Sequence, residues 1–456
     1  MSTASTSHAV TRGLAAAIAA FRPDDLQPRV VHEAKRSLFN VLAVAIGATR
    51  HEGVEIIAGL ASRHGGRSVV PIVGRSQRAD AHYGALANGF AAHVDDYDDT
   101  HLATVIHPSA AAMATLLGML AYTRPDGARA LTAFALGCEV QLRIGVAISP
   151  AHYDDGWHIT GTCGVFGAAA AAAWLLELDA ERTTQALGIA ASSLLGHREG
   201  FGSMVKAFHA GKAAANGILA ALLAQRGFTA PPDALEGRHG FADVTSHAHR
   251  IAELDLDLHG DFELLRNTYK PYPCGIVAHP AIDAALGLSS RVRGRTHLIE
   301  RIVVRCHPLV PELMGNPDPH DGLQARFSAI HGVAAGICDG TVGLAQFADE
   351  RVTRDDVRTL RAKTELAPDA GLRRDEARIE LLLRDGTKLE EHVPHARGSL
   401  ERPLTDKELF AKAEALVEPI LPGRTPALRE AVARLADAPD TDALVAAVVP
   451  GATHAQ

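Results

Sequence analysis

With 456 residues, the chain exceeds what one ordinary hydrophobic core encloses, so two or three domains are expected. It is 47% hydrophobic but only 5% aromatic; alanine supplies much of that total, and alanine favours closely packed helices. A net charge of −8 offers no positive field to nucleic acid or an anionic membrane surface, so neither partner is expected.

The helical period dominates from about residue 7 to about residue 250. Val30, Val31, Ala34, Leu38, Leu42 and Ala43 share one face of a helix opening after Pro28. Further helical runs are read at 79–93, 109–122, 128–147, 158–178, 181–195 and 207–226, punctuated by Arg124-Pro125-Asp126-Gly127, Gly227 and Pro231-Pro232. From about 267 to about 402 the pattern changes. Residues 299–306 and 377–383 alternate and favour β-branched side chains, and Arg384-Asp385-Gly386-Thr387 marks a turn into 389–393. Helical runs at 278–288, 324–338 and 354–364 are interleaved with these strands. Thr405 and Glu408 then form a capping box that starts a helix through Leu409, Ala413, Leu416 and Leu421, and helical pattern continues to about 448. The expected fold is mainly α: residues 1–266 and 403–456 helical, the tail packing back on the first part, with a smaller inserted α+β domain at 267–402.

Cys138, Cys163, Cys274, Cys306 and Cys338 are odd in number and lack CxxC or CxxH spacing. That pattern argues against a disulfide framework, a structural zinc site or an iron–sulfur cluster. The first ten residues are polar without a secretory signature, and the longest apolar stretch, around 165–178, is short for a membrane span. A soluble protein of the reducing cytoplasm is expected.

The most informative stretch runs from Asn88 to Thr100 and on to His107-Pro108-Ser109. It concentrates Asp95, Asp96, Asp98 and Asp99 between His93 and His107, with no Lys or Arg to relieve the repulsion. Its small apolar neighbours point it inward, and buried carboxylates beside histidines are enriched where protons are moved. If the helix persisted, Asp95 with Asp99 and Asp96 with Thr100 would form two stripes. Residues 95–99 also satisfy the DDxxD pattern that holds magnesium on a diphosphate in helical terpenoid synthases, although aromatics are few and no second magnesium motif is found. A solvated acidic face is the plainer alternative.

Gly156-Trp157-His158 opens a helix, whose free N–H groups suit a carboxylate or phosphate, and His158 titrates near neutrality; a capping histidine is the bland alternative. Lys206 precedes a run of small residues, a poor setting for a solvated lysine and a good one for binding a substrate carboxylate. Lys212 is read as facing water. Lys270 sits in the rigid Tyr269-Lys270-Pro271-Tyr272-Pro273-Cys274 segment at a domain boundary, where clefts form, although hinge lysines are often merely solvated. Cys274 has no base beside it in sequence and is read as packed and inert.

Taken in order, these motifs resemble the MmgE/PrpD family. The likeness rests on Asn88-Gly89 through Asp99-Thr100, His107-Pro108-Ser109, Gly156-Trp157-His158, Val205-Lys206, Lys270-Pro271-Tyr272-Pro273-Cys274 and Ala325-Arg326-Phe327-Ser328. The early helix from Asp24-Asp25-Leu26 to Gly47 adds to it, and the likeness covers nearly the whole chain. Members include 2-methylcitrate dehydratases, cis-aconitate decarboxylases and iminodisuccinate epimerases. The resemblance implies a large all-helical domain built from both chain ends, an inserted α+β lid domain and a homodimer. It also implies chemistry without metal or cofactor on a small di- or tricarboxylate, in the cleft between the domains.

Carried over residue by residue, the site would comprise Asp96, Thr100, His107, His158, Lys206 and Lys270, with His331 standing where the decarboxylases have a tyrosine. The loop between Thr100 and His107 is one residue longer than theirs, and residues 102–106 lack the Trp- and Glu-containing segment of the dehydratases. The expected protein is a lyase or isomerase. Lys206 and Lys270, with N–H groups near His158, would bind carboxylates and stabilise enolate-like charge. His107 or His158 would remove a proton next to a carboxylate while the other returns one or assists the leaving group. Asp96 would orient a histidine and raise its basicity, and Thr100 and His331 would position substrate. Dehydration is expected first, with decarboxylation or epimerisation reached through the same intermediate. A helical dimer that binds a carboxylate without turnover is the non-enzymatic alternative.

Overall fold

The computed structural model describes residues 9–194 and 196–451. Expectations resting on residues 1–8, and on Leu195 at the end of the 181–195 run, lie outside the described residues.

Small residues decide how the N-terminal helices meet. Ile159–Leu175 is buried along its whole length and is surrounded by Gly127–Ile148, Pro108–Met119, Ala180–Ala191 and Met204–Gln225. Where Met204–Gln225 crosses Ala81–Val94, a Cβ on Gly211 would overlap the carbonyl oxygen of Leu86, and one on Gly89 would overlap the Gly211 backbone. The two backbones therefore touch, and the end of one helix lies beside the start of the other. Gly211→Val is expected to cost about 2 kcal/mol through overpacking and to lower the urea midpoint. An unchanged midpoint would mean that the crossing has slack.

Most helices lie where the periodicity predicts them, Pro28–Gly47 with proline in its first turn among them. Met204–Gln225 starts earlier than predicted because the Ser203 side chain accepts from the Val205 N–H and caps it. Ala81–Val94 starts later, behind the Asp80 cap, since Arg78–Ala79 pairs with Val70–Pro71. The 324–338 run is broken into Gly322–Ala325 and Ala329–Asp339, because Ser328 leaves helical backbone to cap the second. The 354–364 run stops at Arg361, and Thr364–Pro368 is a strand.

That strand belongs to a four-stranded sheet in the order Thr364–Pro368, Ile299–Cys306, Ala377–Leu383, Lys388–Val393. The first pair is parallel and the other two are antiparallel. The predicted hairpin turns at Gly386, whose φ of 85° suits a residue without a Cβ. His279–Val292 packs on the sheet and on Ala329–Asp339.

Two main apolar cores result. The larger joins residues from 10 to 264 with side chains between Ala413 and Val448, so the tail opened by the Thr405–Glu408 capping box contributes to it. The other draws only on residues 272 to 393. The 165–178 stretch is not the longest apolar element. Gly127–Ile148 and Met204–Gln225 each have 22 residues and are apolar enough to cross a bilayer, but 94% and 67% of their most apolar windows are buried inside the protein. They are core helices.

Candidate active site

The acidic segment does not continue as a helix. Ala81–Val94 ends before it, Asp96 takes a left-handed backbone (φ 49°), and Asp99–His101 is a strand. The two expected stripes therefore do not form. Instead Asp99–His101 pairs antiparallel with Asn267–Tyr269, Asp99 opposite Tyr269. That register delivers Lys270 to the acidic turn, where its backbone N–H donates to the Asp98 carbonyl at 3.4 Å.

The four carboxylates diverge. Asp95 accepts from Arg326 Nη2 at 2.7 Å. Asp99 accepts from Ser37, Ser109 and Asn267, a structural role in which burial and Asp98 raise its pKa. Asp96 Oδ1 accepts from Lys206 Nζ at 2.5 Å and Lys270 Nζ at 2.8 Å. Burial acts to raise the Asp96 carboxyl, but the two lysines outweigh it and hold it well below the usual carboxylate range. Asp98 accepts on one oxygen from His107 Nδ1 at 3.0 Å and on the other from His93 Nδ1 at 2.8 Å. The histidine-orienting place expected for Asp96 thus belongs to Asp98, and Asp96 is the counter-ion of two lysines.

Tautomers follow from these partners. His107 Nδ1 faces the Asp98 carboxylate and the Asp99 carbonyl (2.8 Å), both pure acceptors, so Nδ1 carries the proton. Its Nε2 then keeps a lone pair and has no partner among the described residues. His107 is pinned by its backbone N–H, which donates to Thr160 Oγ1 at 3.2 Å, and Thr100 Oγ1 lies 3.3 Å from its Nδ1. His158 precedes Ile159–Leu175 as expected, and its Nδ1 lies 2.8 Å from His209 Nδ1. His93 stacks on His158 with ring centroids 5.7 Å apart, and its buried Nε2 has no partner among the described residues. Burial lowers the pKa of His107, His158 and His93, the last to about 4, so all three are neutral bases near pH 7.

Asp96, Thr100, His107, His158, Lys206 and Lys270 line one chamber. His331 does not. It is buried beside Phe347, with Nε2 2.8 Å from the Gln346 carbonyl and Nδ1 facing Arg361, and so lies outside the chamber where it was expected. A phenol reaches the chamber from another place, Tyr153. The remaining walls are Phe201, Phe327, Gly275, Met314 and aliphatic side chains. The chamber is small, about 50 Å³, and adjoins a vestibule of about 820 Å³ through walls shared at Phe201, Leu313 and Phe327. Two of these shared walls are phenylalanine rings, which stand 5.5 Å apart and flank Lys206 Nζ. Cys274 is buried, and burial raises its thiol pKa, in keeping with an inert packed role.

Residues that sequence reasoning missed are Asp98 and His93 as a unit, His209, and Lys412. The signal for Lys412 was present: it falls on the apolar stripe of Leu409, Ala413 and Leu416.

Ligand atoms of His93, Asp96, Asp98 and His107 lie within 4.8 Å of one another, a spacing a metal could use. The donors do not suit a cation. Asp96 Oδ1 already holds two ammonium groups, and the Nδ1 protons of both histidines point at Asp98. The divergence of the four carboxylates likewise leaves no DDxxD magnesium cluster.

Buried neutral imidazoles make stability pH-dependent. Burial holds His93, His152 and His209 at about 4, below the ordinary 6.5. As pH falls through 6.5 the unfolded chain takes up these protons and the folded one does not, so stability declines until about pH 4. Scanning fluorimetry should show the melting temperature falling over that interval. A flat profile would contradict buried neutral rings.

The sequence matches the MmgE/PrpD N-terminal domain over residues 12–254 and the MmgE/PrpD C-terminal domain over residues 272–437. It is 28% identical over 424 residues to a cis-aconitate decarboxylase of Homo sapiens, covering 89% of this chain and 87% of that protein. It is also 28% identical to a cis-aconitate decarboxylase of Mus musculus (89% and 86% covered) and 24% identical to one of Aspergillus terreus (86% of each covered).

Proposed function

The chain belongs to the MmgE/PrpD family, and we propose that it is a metal-independent lyase that dehydrates a small di- or tricarboxylate. The observation that carries this reading is an imidazole nitrogen without a partner among the described residues, His107 Nε2, on a histidine that lines the same chamber as two lysines. Lys206 and Lys270 bind substrate carboxylate and offset the charge that grows as a neighbouring C–H bond breaks. His107 Nε2 takes that proton, and Asp98 stabilises the imidazolium through Nδ1. The C–H electron pair forms the double bond as the C–O bond breaks. His158 holds the leaving hydroxyl, and the proton carried by His107 departs with it as water. Thr100 positions the substrate. We further read the two cores as a helical domain of residues 1–266 and 403–456 and a lid of residues 267–402, in a homodimeric cytoplasmic protein. The five free cysteines fit a reducing compartment.

Decarboxylation is the second reading, favoured because several relatives are named cis-aconitate decarboxylases. There the bond to a carboxylate breaks, the lysines hold the electron pair as an enolate-like anion, and a histidine returns a proton to carbon. NMR in D2O containing EDTA, with citrate, 2-methylcitrate, cis-aconitate and a panel of other hydroxy- and aminodicarboxylates, separates the two. Vinyl protons growing from a hydroxy acid establish dehydration, and carbon-13 bicarbonate released from an unsaturated acid establishes decarboxylation. Neither product, and no deuterium entering beside a carboxylate, would sink both readings and leave a binding protein.

A further inference from the structure

Behind the chamber, Lys412 of the Asp406–Val417 helix points its amine into the protein. It donates to Asn40 Oδ1 at 2.8 Å, the Tyr97 carbonyl at 2.6 Å and the Lys270 carbonyl at 3.0 Å. Three acceptors around one nitrogen match the three N–H groups of the ammonium, and with Asp98 and Asp99 nearby they favour it against the burial that lowers the Lys412 pKa to about 7. The amine also lies 4.1 Å from the centroid of the Tyr97 ring.

Two of these acceptors belong to the catalytic segments themselves. Tyr97 follows Asp96, and Lys270 is the residue whose Nζ reaches Asp96 Oδ1. Asp96 is also held in a left-handed backbone, φ 49°, which a residue with a side chain occupies at a cost. Lys270 Nζ secures that residue from the front by donating to its carbonyl at 3.2 Å. Lys412 secures the next carbonyl from behind.

We propose that Lys412 is a positioning residue, whose ammonium clamps the carbonyls of Tyr97 and Lys270 and so sets the placement of Asp96 against the two chamber lysines. The C-terminal helix is then part of the catalytic machinery and not merely a piece of the helical core. The kinetic arm of the test rests on the function proposed above; the structural arm does not.

Lys412→Met keeps the stem and removes the donors. With a substrate found by NMR, kcat should fall about 10- to 100-fold, the scale of a small misplacement of catalytic groups. KM should stay within about threefold, because both chamber lysines remain to bind carboxylate. A merely structural role would lower the amount of active protein and leave kcat per active site unchanged, so kcat within twofold of wild type overturns the proposal. Independently of turnover, a crystal structure of the variant should show that Asp96 Oδ1 no longer receives both lysines. An undisturbed triad there would also overturn it, even if no carboxylate is ever turned over. Should Lys412→Met fail to fold, Lys412→Gln, which keeps two N–H donors on a shorter stem, takes its place with the same two readouts.

Discussion

Lys206→Met should lower kcat/KM by about two to three orders of magnitude, the usual effect of removing one preorganised donor to developing negative charge. The side chain reaches Asp96 from the first turn of Met204–Gln225, between the rings of Phe201 and Phe327, and is almost wholly buried. Methionine fills the same space without the charge, so the loss measures electrostatics more than packing. Breaking a buried ion pair outright costs about 3–5 kcal/mol. Lys270 remains on the same carboxylate oxygen, so a smaller destabilisation is expected by urea unfolding. Arginine is no conservative replacement here, because its planar fork does not fit a point contact to one oxygen. Wild-type turnover in the methionine variant would remove Lys206 from the mechanism.

His107→Gln should cost about 10²- to 10⁴-fold in kcat, the range for loss of a positioned general base. The chamber geometry separates it from His158. The His107 Nδ1 proton is fixed by Asp98 and the Asp99 carbonyl, leaving Nε2 as the acceptor, whereas His158 shares its Nδ1 with another imidazole. The pH profile makes the distinction measurable. Burial lowers the His107 pKa below 6.5, against the opposing pull of Asp98. Activity that requires the neutral ring should therefore persist below pH 6.5 and fall only as pH drops through that lowered value. His107→Gln should lack this acid limb while His158→Gln retains it. The reverse pattern would assign the base to His158.

The local features of the chain were legible in its order of residues. Proline at the start of Pro28–Gly47, the Thr405–Glu408 capping box and the turn at Gly386 act on neighbours within a few positions, and all three occur as read. The acidic segment, His158 and the two lysines stood out because charge placed among small apolar residues has no cheap solvated state. Their partners did not stand out. Lys206, Lys270 and Arg326 meet the acidic turn across 110, 174 and 231 positions, and no local periodicity spans such distances. Which carboxylate served which cation depended on the end of Ala81–Val94, the glycine crossing at Gly89 and Gly211, and the pairing of Asp99–His101 with Asn267–Tyr269. His331 shows the same limit from the other side: its place in a motif suggested substrate, but Ser328 starts a new helix just before it and turns its ring to the Gln346 carbonyl. By itself, the sequence determined the mainly helical class, the strands of the small mixed sheet in the C-terminal region and the cast of ionisable residues. Tertiary structure alone decided which of them share a chamber, because buried charges are placed by the partners that neutralise them, and those partners come from distant parts of the chain.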